Sequence, residues 1–466
     1  MSSNWSVKKL GDLVTFLSGG TPSKSNKDYW NGEIPWISAS SMQSTRYHDS
    51  DLRVTSLGST NGTRLVPAET VLLLVRGGAL HNKIPVGITT REVTFNQDVK
   101  ALVPKSEDIT PYYLLAWLIS SRELLLGKVE NTGIGAGKLD TKILQDLDVP
   151  VPPKAELLRL ELFSKALDDK IILNQNINHT LEQMAQALFK SWFVDFEPVK
   201  AKMAVLEAGG SQEDATLAAM AAISGKDAYA LAVFERAHPE QYAELKTTAE
   251  LFPSAMQDSE LGEIPEGWSI KPLDGIATYQ NGLALQKFRP ENENDFLPVV
   301  KIAQLKKGFS DGEEKASPNI KPECIIDNGD VVFSWSGSLM VDIWCGGKAA
   351  LNQHLFKVSS TKYPKWLYYK YTAHHLIEFQ RIAEAKAVTM GHIKREHLSQ
   401  AKCLMPSSET VHAFTPFFEP VLNKVISNRL ETRKLENIRD TLLPKLLSGE
   451  ITLPEAEQAE SEAENV

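Results

Sequence analysis

The side chains best suited to chemistry in this sequence lie in Gly-, Ser- and Lys-rich loops. "LSGGTPSKSNKDYW" (17–30) carries Ser18, Thr21, Ser23, Lys24 and Lys27. "RGGALHNK" (76–83) carries Arg76, His81 and Lys83, and "NTGIGAGK" (131–138) ends in Lys138. In the second half, "QNGLALQKFR" (280–289) holds Gln280, Lys287 and Arg289, and "SWSGSLM" (334–340) holds Ser336 and Ser338. "KAVTMGHIKR" (386–395) holds Lys386, Thr389, His392 and Lys394. Backbone amides, hydroxyls and Lys/Arg head groups suit phosphate oxygens and base edges. Taken singly, each loop reads as an ordinary surface turn. Their weight comes from recurring at corresponding places in two halves of the chain.

Motifs for catalysis are missing. The sequence has no G-x-x-x-x-G-K-[ST] or H-E-x-x-H pattern and no Cys/His spacing of a metal site. The D/N-P-P-Y/F tetrapeptide of amino-methyltransferases is also absent, "VPVPP" running instead into Lys154. Glu244-Leu-Lys246 and Glu384-Ala-Lys386 fall in helix-like stretches without an upstream acidic partner, so neither reads as a nuclease fragment. His374-His375 reads as a surface pair on an amphipathic helix.

The loops belong to a duplicated element. "WSVKKLGDL" (5–13) recurs as "WSIKPLDGI" (268–276), an offset of 263 residues. The offset then drifts through 260 at "VLLLVRGG" (71–78) and "VVFSWSGS" (331–338), and 256 at "FNQ" (95–97) and "LNQ" (351–353). It reaches 254 at "GKLDTKILQDLDVPVP" (137–152) and "GHIKREHLSQAKCLMP" (391–406). The same final offset carries "LEQMAQALFKSWF" (181–193) onto "LENIRDTLLPKLL" (435–447), giving the order domain, helix, domain, helix. Two copies of long period indicate a pseudo-dimer in one chain rather than a solenoid.

Within each repeat, short apolar runs separated by Gly and Asn predict an antiparallel or mixed β region, for example "TVLLLV" through "TFNQDVKALVP". "PYYLLAWLISSRELLLGKV" (111–129) and "PKWLYYKYTAHHLIEFQRIA" (364–383) predict helices opened by proline. From Ala155, Leu167, Ile171, Asn174, Asn178, Leu181, Ala185, Leu188 and Trp192 alternate at spacings of four and three, the seam of a coiled coil with register-fixing asparagines. Val421, Val425, Asn428, Thr432, Leu435, Arg439 and Leu442 repeat it, with Pro444 expected to kink or end the helix. The Ala-rich segment after the first helix predicts further helices, one opened by Ser211 and Asp214.

The net charge of −9 is unevenly spread. Residues 1–150 carry +1 and 264–410 carry +2, whereas 151–263 carry −8 and 411–466 carry −4. The repeated domains are thus slightly basic, a balance that neither excludes nor by itself supports nucleic acid. Cys324, Cys345 and Cys403 show no pairing pattern and read as thiols in a reducing compartment. No secretory signal or membrane-spanning run is visible, so a cytoplasmic location is expected.

In combination, the opening "W-x-x-x-x-L-G-D-L…SGGTPS…YW-x-G-x-IPWI" (5–37), "VDFEPVKAK" (194–202), "DSELGEIPEGW" (258–268) and "LLPKLLSGEI" (442–451) resemble the DNA-specificity subunits of type I restriction-modification enzymes. The second copy departs from the pattern, with "NGLAL" for "GGTPS" and "LPVVKI" for "IPWISA". The resemblance implies an α+β fold with two repeated α/β target recognition domains, residues 1–153 and 264–408. A central helical region, 154–263, would hold a coiled-coil helix over 155–193 and the Ala-rich insert. A C-terminal coiled-coil helix would follow over 409–448, then an acidic disordered tail over 449–466. The two long helices would pack antiparallel with pseudo-two-fold symmetry, and each domain would read half of a bipartite site in double-stranded DNA. The chain would be non-catalytic and hold no cofactor. Two methyltransferase subunits would supply S-adenosylmethionine-dependent adenine methylation, and restriction subunits ATP- and Mg-dependent cleavage. A protein-binding scaffold without a DNA role is the competing expectation.

Overall fold

A computed structural model describes residues 5–132, 135–292, 294–310, 312–385 and 391–453. The chain divides into two compact units, residues 1–173 with 432–466, and residues 174–431.

In the first unit, a five-stranded sheet runs in the order Val14–Ser18, Val99–Pro104, Val71–Leu74, Val86–Thr89, Arg46–Tyr47. Its neighbours are antiparallel except the last pair, which is parallel. All four residues of Val71–Leu74 are buried, so this strand shows no apolar–polar alternation because both of its faces are covered. A four-stranded sheet holds Trp30–Ile37 parallel to Val93–Phe95. The expected helix over 111–129 forms in two pieces, Pro111–Ser120 and Arg122–Leu126, broken at Ser121. Thr110 caps the first piece, its hydroxyl accepting from Tyr113 N at 3.1 Å, with Pro111 at the position where a missing N–H costs nothing.

The second unit repeats this plan in matching register. Leu17 pairs with Ala101, and Gln280 with Lys357. Val71 pairs with Leu102, and Val331 with Val358. Ile37 lies parallel to Phe95 and Val300 to Leu351. At the base of each copy Ser6 meets Val151 and Ser269 meets Met405. A buried tyrosine ties each domain's helix to the following strand: Tyr113 Oη donates to Pro150 O at 2.6 Å, and Tyr371 Oη donates to Leu404 O.

The two long helices run Lys154–Phe193 and Ser408–Leu447. Within the second unit they pack antiparallel, with Asn174 near Glu431, Asn178 near Asn428, and Trp192 near Phe414. In the first unit Leu157 and Leu160 share a core with Leu443, Leu446 and Leu447. The expected seam needs two corrections. Ser164 and Asp168 are buried where Leu167 was expected, because Thr45 and Arg46 reach the helix and satisfy the Asp168 carboxylate. Leu442 is 37% exposed while Leu443 and Leu446 are buried, so the contacting face is turned by one residue there. The helix also continues three residues past Pro444. A proline so near the end forfeits a single N–H bond, and its carbonyl still accepts from Ser448 N at 3.0 Å.

Between the repeats the Ala-rich segment folds as Glu197–Glu207, Gln212–Ser224, Ala228–Ala237 and Pro239–Glu250. Ser211 and Asp214 form the expected reciprocal cap, at 3.1 and 3.0 Å. Cys324, Cys345 and Cys403 are buried thiols. Among the described residues no single helix is long and apolar enough to cross a membrane. The acidic tail beyond residue 453 lies outside the described residues.

Candidate nucleic-acid interface

One residue per repeat gathers the loops. In the first, Val75 N donates to Asp98 O at 2.8 Å, and Leu139 N donates back to Val75 O at 2.8 Å. These bonds draw together the segments carrying Arg76, Gln97 and Lys138. A fourth segment joins through Gly20, whose N–H reaches Phe95 O at 2.9 Å. In the second copy Trp335 N donates to His354 O at 3.4 Å, Ile393 N to Trp335 O at 3.0 Å, and Leu283 N to Leu351 O at 2.9 Å. Each of these is the counterpart, by the sequence offsets, of a bond in the first copy. The same loop convergence has been built twice.

Glycine makes the closest of these approaches possible. A Cβ on Gly19 would lie 2.2 Å from Phe95 O, and one on Gly282 would lie 2.2 Å from Leu351 O. No larger residue fits without moving the strand carrying the Asn-Gln turn. That turn is held by its own asparagine. Asn96 Oδ1 accepts from Asp98 N at 3.1 Å, and Asn352 Oδ1 accepts from His354 N at 3.2 Å.

In the first copy Arg76 and Lys138 face each other across paired strands. Arg76 is exposed, whereas Lys138 is held by Asp140 at 2.9 Å. His81 Nε2 lies 3.0 Å from Gly135 O, linking the 76–83 and 131–138 loops, and Lys83 Nζ donates to Gln43 Oε1 at 3.3 Å. Ser18 is flanked by two cations, Lys100 Nζ donating to its hydroxyl at 2.5 Å and Arg64 Nε to its carbonyl at 3.1 Å. Thr21 Oγ1 donates to Gln97 Oε1 at 2.7 Å. Ser23 Oγ lies 2.8 Å from Ser25 Oγ, and Lys24 and Lys27 are exposed.

In the second copy Lys287, Arg289 and Ser338 are exposed, and Gln280 Nε2 donates to Asn281 O at 3.0 Å. His392 bridges to Ser336 through the backbone, its ring 6.3 Å from that of Trp335. Lys394 lies 3.5 Å from Glu396. Ser336 is a correction: it is 3% exposed and its hydroxyl lies 3.0 Å from His354 Nδ1, so it holds the turn from inside. Lys386 and Thr389 fall outside the described residues. The surface pair expected at His374-His375 is only half realised, because His375 Nε2 lies 3.1 Å from Lys402 O and is partly buried.

Arg64, Lys100, Gln97, Gln353, Trp335 and His354 belong to the two clusters without having been selected from the sequence. For the glutamines the signal was available, since "FNQ" and "LNQ" are one of the repeat's own matches. Among the described residues no group of three or more His, Cys, Asp or Glu is placed to hold a metal ion.

A model of the type I restriction modification DNA specificity domain matches residues 2–183 and again 265–438. The chain is 30% identical over 362 residues to the type I restriction enzyme HindI specificity subunit of Haemophilus influenzae, covering 75% of this chain and 79% of that protein. It is 25% identical over 466 residues to the MjaIX specificity subunit of Methanocaldococcus jannaschii, covering 97% and 94%. Among solved structures, the S subunit of a type I restriction-modification system from M. genitalium aligns over 95% of this chain and 96% of that one, at 11% identity and a TM-score of 0.48.

Proposed function

The chain belongs to the type I restriction-modification DNA-specificity family, and from that premise we propose that it is the sequence-reading subunit of such a complex. Each repeat reads one half of a bipartite duplex target. The observation that carries this is the pairing of an invariant frame with divergent tips. Backbone registers and the loop-gathering bonds coincide between the copies. Yet Thr21 is replaced by Ala284, Asp98 by His354 and Lys138 by His392 at the equivalent points. Fixed backbone with varied side chains is what two readers of different sequences require, since direct readout depends on the donors and acceptors presented to base edges.

Catalysis is assigned to other subunits. Two methyltransferase subunits bring S-adenosylmethionine and transfer a methyl group to adenine, and restriction subunits bring ATP and Mg for cleavage. The long helices, which carry no part of the loop clusters, are the docking elements for those partners. The test is adenine methylation of genomic DNA by the chain with and without its cognate methyltransferase subunits. Methylation at a single bipartite sequence should need both, and the isolated chain should transfer no methyl group. A scaffold without a DNA role would leave sequence choice unchanged when this chain is exchanged for a relative.

A further inference from the structure

Most exposed residues at the two loop clusters differ between the copies; two identities stand out, Lys24 with Lys287 and one on the Asn-Gln turn. Position 96/352 is asparagine in both, and its structure explains why: the side chain is buried and caps the turn identically. The next residue is glutamine in both, Gln97 and Gln353, and both are exposed. No shared internal contact accounts for that identity. Gln97 Oε1 accepts from Thr21 Oγ1 at 2.7 Å, but Thr21 corresponds to Ala284, which has no hydroxyl. Gln353 Nε2 instead lies 3.4 Å from His354 Nε2, where the first copy has Asp98. Two glutamines are therefore held alike by the backbone and differently by their neighbours.

From this we infer that Gln97 and Gln353 make a contact that both half-sites have in common, a hydrogen bond from the side-chain amide to a DNA phosphate. The inference rests on the DNA-reading role proposed above. Two domains that read different bases share one ligand feature whatever the sequence, the sugar-phosphate backbone. The turn sits at the convergence of the loops, on the segment bonded to Val75 or Trp335. A donor placed there sets the depth and register of the whole cluster on the duplex. With Thr21 already on Gln97 Oε1, Nε2 remains to donate outward. A bidentate grip on adenine would call on both amide atoms at once.

The amide is neutral, and this separates it from the loop lysines. Losing a lysine–phosphate contact lowers the salt dependence of binding, because fewer counterions are released. Losing an amide–phosphate contact weakens binding without that change. The experiment uses the full chain with its cognate methyltransferase subunits. Its probes are duplexes carrying the target mapped from genomic methylation and every single-base-pair change of that target. Gln97→Ala and Gln353→Ala should each weaken binding roughly tenfold on every duplex alike, with the slope of affinity against salt unchanged. Gln97→Glu, equal in shape but repelling phosphate, should weaken binding further and steepen no base preference. Loss confined to one base pair of one half-site would overturn the proposal in favour of base reading, and undiminished binding by both alanine variants would overturn it outright. If the unaltered complex showed no sequence preference on the same duplexes, the DNA-reading role itself would fall instead.

Discussion

Asn428 Nδ2 donates to Asn178 Oδ1 at 2.9 Å between the two long helices, with both side chains buried. Asn178 Nδ2 in turn donates to Val425 O at 3.2 Å. A slip of either helix would leave two amides unpaired away from water, so the pair specifies register rather than adding apolar stability.

Breaking it from one side should therefore cost more than removing it. Asn178→Leu and Asn428→Leu are each expected to destabilise the chain by about 1–3 kcal/mol, the penalty of a buried unsatisfied amide. The double variant should recover most of that loss. Urea denaturation of all four proteins in a double-mutant cycle checks this, and strictly additive losses would contradict it.

Arg46 bridges Asp168 and Asp169 on the first long helix, at 2.9 Å for the latter, while Thr45 Oγ1 donates to both Asp168 oxygens at 2.8 and 2.9 Å. Arg46 and Asp168 side chains are only 12% and 8% exposed. Arg46→Ala would strand a buried carboxylate, and a loss of about 3–5 kcal/mol is expected. Because the pair is shielded from solvent, melting curves at low and high salt should show nearly the same loss. A loss that disappears in high salt would mark a surface contact instead.

The loop lysines should separate by their partners. Lys24→Ala, at an exposed site, is expected to weaken binding on all sequences and to flatten the log–log salt slope by about 0.9. Lys138→Ala should leave the slope nearly unchanged, because Asp140 already neutralises that ammonium at 2.9 Å. Fluorescence anisotropy across a salt series distinguishes the two, and equal slope changes would show that Lys138 leaves Asp140 for DNA.

His375 sets an acid limit on the second unit. Burial, and then the neighbouring His374, lower its pKa from 6.5 to about 4. In this window the unfolded chain binds a proton that the folded chain refuses, so stability falls as pH drops from about 6.5 towards 4. Above 6.5 the residue is neutral in both states and contributes no pH dependence. His375→Gln should flatten that part of the melting profile, and an unchanged profile would assign the acid sensitivity to other groups.

Much of this architecture was legible because repetition filters chance. The "FNQ" and "LNQ" matches fall where the parallel strand pairs recur in register, and the first long helix begins at Lys154, one residue from the periodicity's start. What escaped was non-local. Leu167 looked like a seam residue because nothing near it in sequence announces that Thr45 and Arg46 will bury Asp168. Ser336 looked accessible because its partner, His354, is eighteen residues away on the next turn. Gln97 and Gln353 were passed over because they lie on a short turn outside the Gly-, Ser- and Lys-rich loops that supplied the candidates.

The central claim is that each repeat reads its own half-site, and one measurement bears on it most directly. Residues 1–153 are exchanged for the corresponding domain of a relative with a different target, and methylated adenines are mapped across the genome of cells carrying the hybrid with its methyltransferase subunits. The account predicts that one half-site changes to the donor's sequence while the other is retained base for base. Change in both half-sites, or in neither, would contradict it.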